Sequence, residues 1–362
     1  MDELAIAGTS PCDGEDLMIL ARFHWLCALL LGCSSLYSEE ETREEKAAGS
    51  SLRWHDQYEE ASEQAKKEGK PLLLFFSGSD WCSWCTRLEE EVLTTQAFAQ
   101  EVAEQFVFVR LDFPLYSTLH PQIAAQNKQL RRKYDIRTFP AVVLLDERGN
   151  KMGMAFYRSG GGVEYARHLE SILKGFRCYQ EQLAQLQKGL PLEGGKLRKL
   201  YEQAKSYQQD NEAIAILKEG LKRSDDLFFL KERYRFLADE GHIHTPEARQ
   251  LKVRLESLDS QNQQHTLYEL AMIEFEAYCD EMAKESYSPE LAAAPLVEYI
   301  EKYGERDRDH IWRLEMLIAQ LFLNNNQLSK ALLHAKSCYR AAPETVRPEI
   351  AGVIENLQVY QR

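Results

Sequence analysis

Five apolar residues in unbroken succession, Leu72-Leu73-Leu74-Phe75-Phe76, run through a short polar turn into Asp80-Trp81-Cys82-Ser83-Trp84-Cys85. Thr86-Arg87-Leu88-Glu89-Glu90-Glu91-Val92-Leu93 follows, with helical composition. An apolar run without alternation is a strand covered on both faces. The order is therefore buried strand, turn, Cys-x-x-Cys and helix, which restricts the chain to folds in which a covered sheet delivers two cysteines to a helix start.

That placement has a chemical consequence. Unpaired N–H groups and the helix dipole favour an anion at a helix N-terminus, so Cys82 is predicted to be the attacking thiolate. Cys85, one turn further on, is predicted to be the more buried, resolving thiol. A zinc knuckle or an inert structural pair would use the same spacing, but zinc needs a second pair of ligands. Cys12, Cys27, Cys33, Cys178, Cys279 and Cys338 stand singly, and His242-Ile243-His244 has no cysteine nearby. No metal site and no cofactor are predicted, since a dithiol carries its own electrons.

At 362 residues the chain exceeds one ordinary core, and its net charge of −13 argues against nucleic acid as a partner. Lys128 with Arg131-Arg132-Lys133 reads as the polar face of one helix.

Residues 1–17 carry five acidic residues and no lysine or arginine. From Met18, by contrast, the chain has a short cationic start, an apolar core and small residues, which together make a secretory signal over 18–38. Translation is therefore expected to start at Met18, with 1–17 a gene-model extension. Leu30-Leu31-Gly32-Cys33 resembles a lipobox, making Cys33 a lipidation candidate beside simple cleavage or an uncleaved signal anchor. Each outcome places the remainder in the periplasm, where disulfides are ordinary chemistry. Residues 39–50 read as an acidic linker.

Trp54, Tyr58, Ala61 and Ala65 recur at helical spacing up to Gly69. Strands are predicted at 71–77, 106–113 and 140–146, with a hairpin partner around 152–157. Helices are predicted near 82–93, 96–105 and 123–134, and a last one over 163–179. The result is an α/β unit over residues 51–180 with a mixed sheet covered on both sides.

Two separated motifs, Asp80-Trp81-Cys82-Ser83-Trp84-Cys85 and Ile136-Arg137-Thr138-Phe139-Pro140, then carry a resemblance. The segment from about Ser51 to Arg177 resembles the exported thioredoxin-fold oxidoreductases, the subgroup of DsbH and of the C-terminal domain of the transmembrane thiol transporter DsbD. The resemblance implies a thioredoxin fold and a cis Pro140 abutting the cysteines. It also implies protein-disulfide reductase or isomerase activity on envelope proteins, with a DsbD-like membrane thiol donor. An X–Pro bond can take the cis form, and a proline opening a strand leaves the Phe139 backbone free to pair with an extended client. Trp81, Trp84, Thr138 and Phe139 are the predicted substrate-binding residues. Ser83-Trp84 between the cysteines suggests a reducing couple by the same resemblance.

One position departs from the family. Its members commonly keep a buried aspartate six residues before the first cysteine, and here that residue is Phe76. Glu89, one turn beyond Cys85, is the predicted proton acceptor in its place; Asp80 is expected to face solvent.

From Gln187 strand-like runs disappear, and residues 187–362 read as an all-α, TPR-like domain. Ile318, Ala319, Phe322, Ala331, Ala335, Cys338 and Pro343 fit such a repeat, and Leu200, Tyr201, Ala204, Ala213 and Leu217 form a weaker one. Stacked helical pairs present a surface for a client or redox partner; a domain that merely packs on the first is the alternative. Cys178, Cys279 and Cys338 are expected to be buried, a Cys279–Cys338 disulfide being one arrangement open to them. The competing functional reading is a helical scaffold with a residual or regulatory thioredoxin-like domain.

Overall fold

The run predicted as a central strand is β2 (Leu72–Ser77), and every residue of it is buried. It pairs in parallel with β3 (Val107–Asp112) and antiparallel with β4 (Ala141–Leu145), which in turn pairs antiparallel with β5 (Lys151–Ala155). The computed structural model describes residues 52–223, 225–284 and 288–360. The extension, the signal segment, Cys33 and the acidic linker lie outside them.

A further strand, β1 (Trp54–His55), pairs with β3 and completes a mixed sheet of order β1-β3-β2-β4-β5. Trp54 was expected on a helix; that helix, α1, covers only Tyr58–Glu68. Packing explains the correction: the half-buried indole lies against Phe75 and Phe108, with Arg110 over its ring, and the extended backbone pairs with β3.

Ala61 and Ala65 of α1, with Leu130 and Tyr134 at the end of α4 (Pro121–Lys133), join Leu72, Leu74, Phe76, Val109 and Val143 in one core on one sheet face. The helical elements after the cysteines are α2 (Ser83–Leu88), a π-helical turn (Glu89–Leu93) and α3 (Gln96–Val102). With α5 (Gly161–Gln187) they form the remaining helical layer, α3 and α5 packing on each other. The last helix, predicted to stop at Tyr179, runs two turns further, because no proline or left-handed residue interrupts it before Gly189 (φ 75°). This is a thioredoxin-like fold.

The contacts divide the chain into two compact units, one ending at Gly189 but including 206–208, the other formed by 190–205 and 209 onward. The second is helical in its described residues: α6 (Gly194–Ser206), α7 (Asp210–Gly220), α8 (Leu227–Asp239), α9 (Pro246–Leu258), α10 (Thr266–Ala283), α11 (Pro289–Tyr303), α12 (Arg308–Asn324), α13 (Leu328–Ala341) and α14 (Arg347–Tyr360). Ile318, Ala319 and Phe322 of α12 are buried with Ala331, Ala335 and Cys338 of α13, and these two helices pack closely. Leu200, Tyr201, Ala204, Ala213 and Leu217 are buried as well.

The cysteine expectations need correction. Cys178 is exposed, and Cys279 and Cys338 are free thiols, not a disulfide. Burial pushes both of those thiols up to about 12, which leaves them inert as nucleophiles near neutrality. Among the described residues no helix is long and apolar enough to cross a membrane.

Candidate active site

Strand register alone brings the site together. Phe76 lies opposite Ala141 on antiparallel β4, so Pro140, just before that strand, falls beside the exit of β2. Ser77 lies opposite Asp112 on parallel β3, so the segment from Phe113 onward leaves from the same end of the sheet. The cysteines, the Phe139–Pro140 peptide and the loop after β3 therefore converge at one end of the sheet, where β2 and β3 leave and β4 begins. The Phe139–Pro140 peptide is cis.

Cys82 is the N-cap of α2, and the backbone N–H of Cys85 donates to its Sγ over 3.2 Å. The two cysteines form a disulfide, with Cα atoms 5.2 Å apart. Cys82 retains 8% of its surface and Cys85 none, so an approaching thiol meets the first sulfur. The Gly78 N–H points at Cys85 Sγ at 3.5 Å. Both sulfurs thus have a backbone donor available, and donors of this kind favour the thiolate once the disulfide opens.

Trp81 is 42% exposed and packs edge-on against Phe139 at 5.6 Å. Phe139 in turn meets Phe113 at 5.2 Å, and Arg131 lies over both phenyl rings at 5.2 and 5.7 Å. These residues, with Leu115 and exposed Thr138, line a mainly apolar groove of about 770 Å³, bounded by Trp81, the residue before Cys82. Asp80, expected to face solvent, is half-buried and also clamps the groove wall. Its carboxylate accepts the N–H groups of Leu115, Tyr116 and Ser117 at 2.8–2.9 Å. Burial works to raise its pKa, and those N–H groups outweigh burial and hold it below the usual carboxylate value.

Trp84, 52% exposed, meets Tyr157 at 5.2 Å with Arg87 over both rings. Glu91 fastens this platform, accepting from Tyr157 Oη and Arg87 Nε at 2.6 Å each. The hydrogen bond from Tyr157, then that from Arg87, draws Glu91 below its ordinary pKa.

Glu89 begins the π-helical turn, its N–H donating to the Cys85 carbonyl. Its carboxylate accepts from buried Ser77 Oγ (3.4 Å) and pairs with Arg110 (3.3 Å). Ser77 precedes the very residue whose N–H reaches Cys85 Sγ.

A family model described as thioredoxin-like matches residues 53–147. The thioredoxin-related protein DsbJ of Chlamydia pneumoniae is 33% identical over 319 residues, which is 85% of this chain and 88% of that protein. This chain belongs to the DsbJ family of thioredoxin-related proteins. The disulfide bond reductase DsbH of Chlamydia pneumoniae is 32% identical over 127 residues, 35% of this chain and 76% of that one. A solved DsbH oxidoreductase structure shares 32% identity with a TM-score of 0.33, covering 39% of this chain and 95% of its own.

In this DsbJ-family chain the structure gathers Trp81, Cys82, Cys85, Thr138, Phe139 and Pro140 at one end of the sheet, places Trp84 on its own platform and sets Glu89 against Ser77. Sequence reasoning missed Phe113, Arg131 and Tyr157, which come from loops and helices distant in sequence. It also missed the Asp80 clamp, although an aspartate just ahead of a turn is an ordinary acceptor of backbone N–H groups.

Proposed function

We propose that this chain is a protein thiol–disulfide oxidoreductase acting as a reductase on disulfide-bonded proteins outside the cytoplasm. The observation that carries the reading is the asymmetry of the dithiol: Cys82 caps a helix and keeps a small part of its surface accessible, while Cys85 is fully closed off with a backbone donor on its sulfur. Two relatives support it, one named a thioredoxin-related protein and one a disulfide bond reductase.

In the reduced protein, the Cys82 thiolate attacks one sulfur of a client disulfide, forming a mixed disulfide and releasing the other client sulfur as thiolate. Cys85 gives up its proton and attacks Cys82 Sγ. The client leaves as a dithiol, two electrons richer, and Cys82–Cys85 closes as the disulfide. A membrane dithiol donor outside this chain restores the thiols.

Trp81 and Phe139 hold the client segment in the groove, and the backbone around Thr138 and Phe139 pairs with it in extended form. Trp84 offers a second apolar contact. Export would follow from the segment at 18–38, with Cys33 as a lipid anchor, and the helical domain would recruit clients or the donor.

Insulin reduction tests the reading. Wild-type protein supplied with a dithiol reductant is expected to turn over, and Cys82→Ser to lose at least a hundredfold. Cys85→Ser is expected to accumulate client mixed disulfides on Cys82, identifiable by mass spectrometry. Equal, background-level turnover in wild type and Cys82→Ser would leave the scaffold reading standing.

A further inference from the structure

The helical unit holds a side-chain cluster that disulfide chemistry does not use. His265 closes the turn before α10, and Asp307 and His310 sit one turn apart at the start of α12. One ligand atom from each lies within 4.8 Å of the others. The imidazole rings of His265 and His310 stand 5.3 Å apart, and Asp307 Oδ1 meets His310 Nδ1 at 2.6 Å. The other oxygen of Asp307 accepts from Tyr299 Oη, which itself accepts from Asn262 Nδ2 at 2.9 Å.

We propose that His265, Asp307 and His310 bind a divalent transition-metal cation of the zinc type, with water completing its coordination. Two imidazoles and a carboxylate form a borderline donor set suited to zinc, cobalt or nickel, and poorly suited to calcium or magnesium, which take oxygen ligands. Given the 4.8 Å spread, an ion at the centre lies within about 2.8 Å of every ligand atom, against about 2.0–2.2 Å for zinc. Movements of less than about 1 Å per side chain therefore close the site. The Asp307–His310 hydrogen bond is what the ion replaces, and Tyr299 keeps the second carboxylate oxygen oriented as outer-shell partners do.

A hydrogen-bonded helix start needing no ion would account for Asp307 and His310 alone. It leaves His265 unexplained: an exposed imidazole whose ring stands against that of His310. The turn that presents it is fixed in advance. Asp259 accepts the N–H groups of Gln263, Gln264 and Thr266, and Asn262 Oδ1 accepts that of Leu267. The exposure of His265 leaves the ion a way in. Once bound, the ion ties the α9–α10 turn to the start of α12.

Full-length, tag-free protein with the dithiol oxidised and with Cys12, Cys27, Cys33 and Cys178 all replaced by Ser, to remove competing thiols, is titrated with zinc by calorimetry. Melting is followed in parallel, and cobalt is used as an absorbing probe. One equivalent is expected to bind with micromolar or tighter affinity, raising the melting temperature and giving cobalt d–d bands. His265→Gln, an exposed change with no core loss, is expected to weaken binding at least thirtyfold while melting unchanged without metal. His242→Gln, equally exposed and outside the cluster, is expected to bind as wild type. Absence of stoichiometric binding in this cysteine-substituted protein, or binding that survives His265→Gln in it, overturns the site.

Discussion

Trp81 Nε1–H donates to the carbonyl of Phe113 across 2.7 Å, tying the residue just before the first cysteine to the loop that leaves β3. The indole is thereby fixed as a wall of the groove although much of its face is open. Gly78 lies underneath: a Cβ there would stand 2.4 Å from the indole Cε2, so the turn works only with no side chain at this position.

Gly78→Ala should therefore displace Trp81 and break its bond to Phe113. The expected result is at least a tenfold fall in kcat/KM for protein disulfides, about 1.4 kcal/mol by the usual conversion. Trp81→Ala removes the ring that the new methyl strikes, so Gly78→Ala added to Trp81→Ala should do little further harm. Additive losses in that double-mutant cycle would show that the glycine acts some other way.

Glu89, Ser77 and Arg110 make a second testable unit. If the Glu89 carboxylate accepts the Cys85 proton, Glu89→Gln should slow resolution of the mixed disulfide by a hundredfold or more and change its pH profile. Alkylation of Cys82 by iodoacetamide should stay as in wild type. A resolution step with wild-type pH dependence in Glu89→Gln would reduce Glu89 to an ion-pair partner of Arg110.

The sheet and dithiol could be read from sequence because both rest on local signals. An unbroken apolar run has no stable place except between two covered faces, and Cys82 at a helix start needs only the residues after it. Pro140 was legible because a proline can open a strand but not continue a ladder. The rest was hidden for the opposite reason. Arg131 over Phe113 and Phe139, and Tyr157 under Trp84, are meetings of residues set far apart in sequence, fixed by register and helix packing. Trp54 misled because its helical spacing with Tyr58 was real, but its residue pairs with β3 as an added strand and its ring packs on Phe75 and Phe108. His265 and His310 were invisible as a pair, since nothing in either local pattern indicates that two helix starts meet.

The groove also carries charge. Lys128 is exposed on its lining, and Arg131 and Arg137 lie there with a single carboxylate, Asp112, so the lining is net positive. Client segments with acidic residues flanking an apolar side chain should therefore be favoured. Lys128→Glu is expected to raise KM severalfold for an acidic disulfide peptide and to lower it for a basic one, with kcat unchanged and the contrast fading at high salt. Identical shifts for both peptides would locate the effect elsewhere.

Asp259 supplies a prediction about acid stability. Burial opposes its ionisation, but hydrogen bonding by Thr266 and by the N–H groups of Gln264 and Gln263 prevails, and its pKa falls below the usual value. A depressed folded-state pKa means that the folded protein holds the carboxylate charged more readily than the unfolded chain does. The stability it contributes is therefore complete above the unfolded pKa of about 4 and drains away as pH falls through the lower, folded value. Asp259→Asn keeps one carbonyl oxygen for three backbone donors and loses the charge, which should destabilise the helical unit by about 1–2 kcal/mol near neutrality. Melting curves of wild type and variant should differ by a constant amount from pH 7 down to about 5, and the gap should narrow as the pH falls below about 4. A gap that holds constant down to pH 3 would mean that the loop is fixed by hydrogen bonding alone and that the charge of Asp259 adds nothing.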